Sequence, residues 1–405
     1  MSARPRAAWP LVAVFTAGYL AAYLLPTVVG RLSSGLGLPP TRAGLVGSVL
    51  LLSSASAGFA LAARVERYGE RRLARLGLLL ALAGYGAAAS TSLLPLVVAG
   101  AVVGGFGSGT ATAVAASGMA ARPDPHRLTT LGLLSVSATA GALYLTLPHL
   151  GGGHGLPFAA IAGVAGLVWP ATCRLPGPAA AAHPVGAAPS SLLPHRRTGA
   201  VLAAAMLCWS LAQNALWGVS GRIGLTQAGL TEVTVGAVFA VALLAGLLGV
   251  TGAGALGARL GRAVPIGGGT VVIAGCVLVS ASARGLVSFA SGEILWNVFY
   301  PVVLSYLIAL AASLDPRGRW AVLAGSASSL GVACGPLTGS VLSAWVGFGG
   351  MGVVLGALLL VVAAPLTLLA RPGRRPSPAG QQQPAAQPVG QLVGQPVGGE
   401  FGLSV

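Results

Sequence analysis

Apolar residues in this chain come in long runs, not in alternation. Twelve runs fall near residues 8–30, 43–63, 76–93, 95–121, 128–150, 156–172, 200–219, 233–257, 264–282, 286–312, 321–346 and 351–370. A helix needs about 20 mostly apolar residues to cross a bilayer. The runs lack the period-two pattern of barrel strands. The pattern therefore predicts an all-α polytopic membrane protein of about 12 transmembrane helices. The first run follows two arginines and has no clear small-residue cleavage site, so it is expected to be a retained span and not a signal peptide.

Two stretches fall outside the pattern. Residues 174–198 are rich in Pro and Ala and divide the runs six and six. This predicts an N-terminal six-helix bundle over 1–173, a linker over 174–198 and a C-terminal six-helix bundle over 199–370. Residues 371–405 contain Gln381-Gln382-Gln383 and a Gln-x-Val-Gly tetrapeptide repeated from Gln387, Gln391 and Gln395. So little charge with so much Pro, Gln and Gly predicts a disordered tail.

Charge then orients the chain. All 23 basic residues are arginine, and they alternate between loops. Clusters lie before run one and after runs two, four, six, eight, ten and twelve, while the remaining loops hold only Arg31, Arg42, Arg222 and Arg284. This is the positive-inside signature, and it places both termini, the linker and the tail in the cytoplasm of a multi-pass protein of the cell inner (plasma) membrane. The formal net charge of +16 thus faces a membrane surface, so the lipid bilayer and not nucleic acid is the expected partner. Only 7% of residues are charged and 55% are apolar, too few charges to cover a soluble protein of this size.

The absences narrow the chemistry. A chain without lysine has no Walker A loop and no Schiff base. Its aspartates are Asp124 and Asp315, so a phosphorylated-aspartate pump is not expected. The glycine string from Gly104 to Gly109 lies inside an apolar run with no preceding strand, which predicts helix packing and not a nucleotide loop. Cys173, Cys208, Cys276 and Cys334 are isolated, which predicts neither a metal site nor a disulfide framework. Scattered Asp, Glu and His argue against an enzyme, and no cofactor is expected.

The two halves match each other. An offset of 192 relates Gly37-Leu38 to Gly229-Leu230, Gly44 to Gly236, Arg67 to Arg259 and Gly69 to Gly261, and an offset of 191 relates Asp124-Pro125 to Asp315-Pro316. Parallel repeats of this kind occur in transporters whose two bundles rock about a midplane site. At these residues the chain resembles the major facilitator superfamily. That family's loop motif of Gly, an acid and basic residues is matched after span two by Glu66, Arg67, Gly69 and Arg71, with Ala62 in place of Gly. It is matched after span eight by Gly254, Arg259, Gly261 and Arg262, with Ala258 in place of the acid. The resemblance implies cytoplasmic gates here, with a Glu66–Arg pair latching helix ends; the plainer reading is a basic loop that sets topology. Ala101 stands where many proton-coupled members carry a span-four arginine. The run Gly331, Gly335, Pro336, Gly339 matches the family's exporter motif but lies in span eleven, not span five, so it reads equally as a hinge or packing element.

Polar faces inside the spans mark the candidate site. Glu293 is the one carboxylate well inside a span, where an ionisable group costs about 2.5–3.5 kcal/mol on insertion scales. Glu293, Trp296, Asn297 and Tyr300 share a face by i, i+3, i+4, i+7 spacing. Ser210, Gln213, Asn214 and Trp217 repeat it in span seven beside Trp209, and span one adds Tyr19 and Tyr23. The resemblance places spans one, four, seven and ten around a central cavity; here the first, seventh and tenth carry polar and aromatic faces, while span four is Gly-rich instead. Glu293 is then the candidate coupling group, and the aromatic and amide residues are the candidate lining. Without arginine deep in a span, that cavity suits a neutral or cationic amphipathic small molecule. The reading is a monomeric secondary active transporter working by alternating access, with protons as coupling ion and export as direction. The alternative is a receptor or assembly factor that keeps the fold without transport.

Overall fold

The computed structural model describes residues 8–61, 64–176, 193–256, 261–315 and 319–371. The first span is a bent pair, α1 (Trp9–Tyr23) and α2 (Leu25–Leu36), meeting at 47°. Pro26 lies in the first turn of α2 and has no N–H to give, so the chain turns at Leu24 (φ −90°, ψ 7°). The span consequently runs past the expected end at residue 30, to Gly37. The first half continues with α3 (Pro40–Leu61), the short α4 (Val65–Tyr68), α5 (Glu70–Ser90), α6 (Leu94–Ala120), α7 (Pro125–Thr146) and α8 (Gly155–Val168).

The second half comprises α9 (Arg196–Arg222), α10 (Glu232–Leu256), α11 (Ala263–Ala281), α12 (Leu286–Ser313) and α13 (Arg319–Ala370). A π-helical turn, Ile223–Gln227, carries α9 beyond the expected end at residue 219. The 52 residues of α13 hold two spans, separated at Gly347 (φ 71°, ψ 172°). A single glycine makes the break expected between residues 346 and 351. With the bent pair counted once and α13 twice, the described residues trace twelve crossings, in agreement with the apolar pattern.

The repeat extends to the backbone. Gly37 and Gly229 have φ of 62° and 66°, and Gly69 and Gly261 have φ of 84° and 63°. These are left-handed conformations that L side chains resist, which accounts for glycine at both members of each pair.

In lipid, helices associate by close packing of small residues, and they do so here. Gly84 of α5 abuts Gly100 and Gly104 of α6, Gly107 abuts Gly77 and Ala81, and Gly105 meets the Leu50 carbonyl of α3. The glycine string of span four is therefore a packing seam. Large apolar side chains such as Leu167, Val287, Leu248 and Val361 point outward, as a lipid-facing surface requires.

Residues through Arg371 pack as one unit, in which α3 lies against α13, α7 against α10 and α2 against α9. These contacts join the two halves, and they concentrate at the Arg-poor end of the bundle. Gly44 meets Ser340 and the Pro336 carbonyl, and Gly236 meets the Tyr144 carbonyl and Pro148. The offset of 192 that relates Gly44 to Gly236 also relates Pro148 to Ser340. The two seams are thus copies of one another. Ser48 Oγ accepts from Leu337 N at 2.9 Å, and Trp217 Nε1 donates to the Ala22 carbonyl at 3.1 Å, both across the same interface. Most of the linker expected over 174–198 and the tail beyond Arg371 lie outside the described residues.

Candidate functional site

Glu293 lies in α12 and is fully buried. Its Oε1 accepts from Ser280 Oγ of α11 at 2.6 Å and from Ser220 Oγ of α9 at 2.8 Å. Its Oε2 is buried and has no hydrogen-bond partner among the described residues. Gly292 makes the geometry possible, because a methyl group there would come within 2.8 Å of Ser280. The small residue before the acid lets α11 approach closely enough for its serine to reach the carboxyl.

One turn along α12, Trp296 Nε1 donates to Gln213 Oε1 of α9 at 2.9 Å, and Gln213 Nε2 donates to its own helix at the Trp209 carbonyl, 3.1 Å away. Both ends of a fully buried amide are thereby satisfied. Around this pair runs a chain of aromatic rings. Trp209 stacks on Tyr300 at 5.3 Å, Tyr300 meets Trp296 edge-on at 6.0 Å, and Trp296 lies 5.6 Å from Trp217. Trp217 continues to Phe239 at 5.1 Å, and Phe239 to Tyr144 of the first half at 5.0 Å.

The structure divides the expected cavity residues into two sets. Trp209, Gln213 and Trp296 are buried, with Glu293, as a supporting layer between helices of the second half, and Trp217 is buried at the seam with the first half. Tyr19, Tyr23, Asn214, Asn297 and Tyr300 are half-buried. The face expected from the i, i+3, i+4, i+7 spacing is split because α12 packs on α9, α10, α11 and α13 at once. Glu293 turns to α9 and α11, while the Asn297 carbonyl lies against Gly246 of α10. The amides of Asn214 and Asn297 each donate 2.9 Å back to the carbonyl four residues earlier, which leaves their oxygens facing away from their own helices. In the first half, Thr16 Oγ1 donates to Ser135 Oγ at 2.8 Å, and Tyr144 Oη to the Tyr23 carbonyl at 2.6 Å, tying α1 to α7.

Sequence reasoning missed Ser220 and Ser280. Ser220 carries a legible signal, since it continues the Gln213–Trp217 stripe by one more turn. Ser280 carries none, because a lone serine near the end of an apolar run has no partner in its own helix.

At the Arg-rich end, Arg67 is exposed and lies 5.9 Å over the Tyr68 ring. Arg71 Nε donates to the Leu175 carbonyl at 2.8 Å, and Arg262 Nη1 donates to Ser313 Oγ at 2.8 Å. An acid–arginine pair seen at this end is Glu70 with Arg122, 3.3 Å apart, which ties the start of α5 to the turn after α6. The Glu66 side chain and Arg259 lie outside the described residues, and Gly254 is described only as part of the α10 backbone. Gly331, Gly335 and Gly339 of α13 sit against the Leu207 carbonyl, Asn214 and the Ala215 carbonyl of α9, and Pro336 fills the space beside Gly218 and Gly47. The motif-like run is thus a helix seam.

The model of the Major Facilitator Superfamily matches residues 11–318. The chain belongs to the major facilitator superfamily. Two solved structures of superfamily transporters share the fold. One is the human organic anion transporter MFSD10 (TETRAN), 17% identical, with a TM-score of 0.64 over 89% of this chain and 99% of that one. The other is the nucleoside transporter NupG, solved as a point mutant, 11% identical, with a TM-score of 0.70 over 90% of this chain and 100% of that one. No curated protein sequence matches the chain. As a superfamily member it is a membrane transporter and not an enzyme.

Proposed function

We propose that the protein is a secondary active transporter that works by alternating access and couples a small neutral or cationic amphipathic molecule to protons through Glu293. The observation that carries this reading is the Glu293 carboxyl, held on one oxygen by Ser220 and Ser280 and buried without a partner on the other among the described residues. A charge in that apolar setting demands compensation, and a proton on Oε2 supplies it. Glu293 lies within about one turn of Asn297 and two turns of Tyr300, so its charge bears on the half-buried aromatic and amide surface where the cargo binds. Neutral or cationic cargo suits that surface, because rings and amide oxygens offer stacking, cation–π attraction and hydrogen-bond acceptors. The two structural neighbours are named for organic anions and for nucleosides, which select no single chemistry between them. The Gly331–Gly339 seam implies no direction of transport.

Alternating access is supported by the two seams of offset 192 at the Arg-poor end, which close that side with matched small-residue contacts. Rocking of the halves would break both seams and bring the Arg-rich loops together. The motif loops at Glu66–Arg71 and Gly254–Arg262 are the gates of that opposite face in this reading.

The test has two stages. Thermal shifts across a panel of metabolites and drugs identify a cargo. Proteoliposome uptake then compares the native protein with Glu293→Gln, with and without a pH gradient. Retained exchange with lost pH-driven accumulation supports coupling. Lost binding assigns Glu293 to cargo contact, and unchanged accumulation with unchanged affinity removes both roles.

A further inference from the structure

At the Arg-poor end, between α2, α7, α9 and α10, lies a cavity of about 220 Å³. Its walls include Arg31, Arg222 and Glu232, with Leu225, Val235 and Phe239 as apolar surface. Glu293, Asn297 and Tyr300 are not among them, and the cavity touches the aromatic chain of that site only at its far end, Phe239 and Tyr144.

Arg31 is the buried anchor of this cavity, with only 4% of its surface exposed. Its guanidinium donates to the Gly151 carbonyl, to the Leu147 carbonyl at 3.5 Å and to Glu232 Oε2 at 2.8 Å. Arg31 belongs to the first half and Glu232 to the second, so the ion pair crosses the seam. The Glu232 side chain is 41% exposed, so it borders water. Arg222, at the end of α9, lies 5.2 Å over the Phe348 ring, and its Nη1 is buried with no hydrogen-bond partner among the described residues. Arg31 and Arg222 thus line one cavity in which Glu232 is the lining carboxylate, and a buried donor of Arg222 is unmet among the described residues. Leaving a buried donor unpaired is costly, so an acceptor that reaches it is favoured. The guanidinium fork matches a carboxylate with two parallel hydrogen bonds.

We propose that this cavity is a binding site for a small organic monoanion, a carboxylate on an apolar body, which pairs with Arg222 and competes with Glu232 for Arg31. One spare positive charge suits a single negative charge, and the walls of Leu225, Val235 and Phe239 suit a ring or short branched chain. Displacing Glu232 removes the ion pair across the seam and loosens the Arg-poor closure, so the anion acts as an effector of the gate.

The probe is benzoate, with benzyl alcohol as its neutral counterpart, added to the purified full chain in nanodiscs and followed by calorimetry. Benzoate is expected to bind saturably and at least about tenfold more tightly than benzyl alcohol. Arg222→Gln is expected to weaken benzoate about tenfold or more. Glu232→Gln is expected to tighten it several-fold, because the competing charge is gone; a merely structural role for the ion pair would weaken it. Asn297→Ala is expected to leave it unchanged. Equal binding of benzyl alcohol, weaker binding in Glu232→Gln, or loss in Asn297→Ala would each overturn the proposal, the last by moving the anion to the other face. If Arg222→Gln does not fold, the remaining three comparisons still decide the matter.

Discussion

Gly44 of α3 lies against Ser340 of α13 with no room for a methyl group, since a side-chain carbon there would also come within 2.7 Å of the Pro336 carbonyl. Its repeat partner Gly236 stands in the same relation to Tyr144 and Pro148. Overpacking a tight contact costs about 1–3 kcal/mol, and here the halves can relieve it by parting. Gly44→Ala and Gly236→Ala should each shift the protein toward a state open at the Arg-poor end, and together they should shift it further. Labelling of a cysteine introduced at Ser48, buried in the α3–α13 seam, measures this. Unchanged labelling rates in both variants would mean that the seams do not govern closure.

Gln213→Leu should destabilise the second half. It leaves the buried Trp296 N–H without its acceptor, at a cost of about 1–3 kcal/mol. The thermal unfolding midpoint in detergent should fall, whereas Asn214→Leu, at a half-buried position, should lower it less. Equal midpoints for native protein and Gln213→Leu would show that the 2.9 Å hydrogen bond contributes little.

Span positions are legible in the chain because a bilayer demands about 20 apolar residues and the arginines punctuate them. The repeat is legible because Gly37, Gly69, Gly229 and Gly261 must be glycine to hold positive φ. Which polar residues meet is less so. Periodicity puts Glu293, Trp296, Asn297 and Tyr300 on one face, but it carries no record of neighbouring helices, and those neighbours bury two of the four and leave two half-exposed. Arg31 reads as one stray charge of an Arg-poor loop, because its partner Glu232 lies 201 residues away.

Gly292→Ala should perturb Glu293 without touching its carboxyl. The added methyl pushes Ser280 away and weakens the 2.6 Å hydrogen bond. In the proposed coupling scheme, this variant and Ser280→Ala reduce pH-driven accumulation in the same direction as Glu293→Gln and by less. Full accumulation in both variants, at equal expression, would separate the serine contact from coupling.

Arg67→Ala should cut transport while leaving membrane insertion intact, if the motif loops gate the Arg-rich face as proposed. Flux of identified cargo at matched expression is the readout. Normal flux would leave Arg67, exposed over Tyr68, as a determinant of topology alone.

Pulsed electron–electron resonance on two spin-labelled pairs addresses alternating access most directly. In a background with the four cysteines replaced, one pair joins Ser34 and Thr226 across the halves at the Arg-poor end. The other joins Ala60 and Val322 at the Arg-rich end. Alternating access predicts two distance populations at each end that trade places, the Arg-poor pair lengthening under conditions that shorten the Arg-rich pair. A single fixed distance at both ends, unmoved by pH or by a ligand that shifts thermal stability, would contradict it and leave a receptor that keeps the fold without the motion.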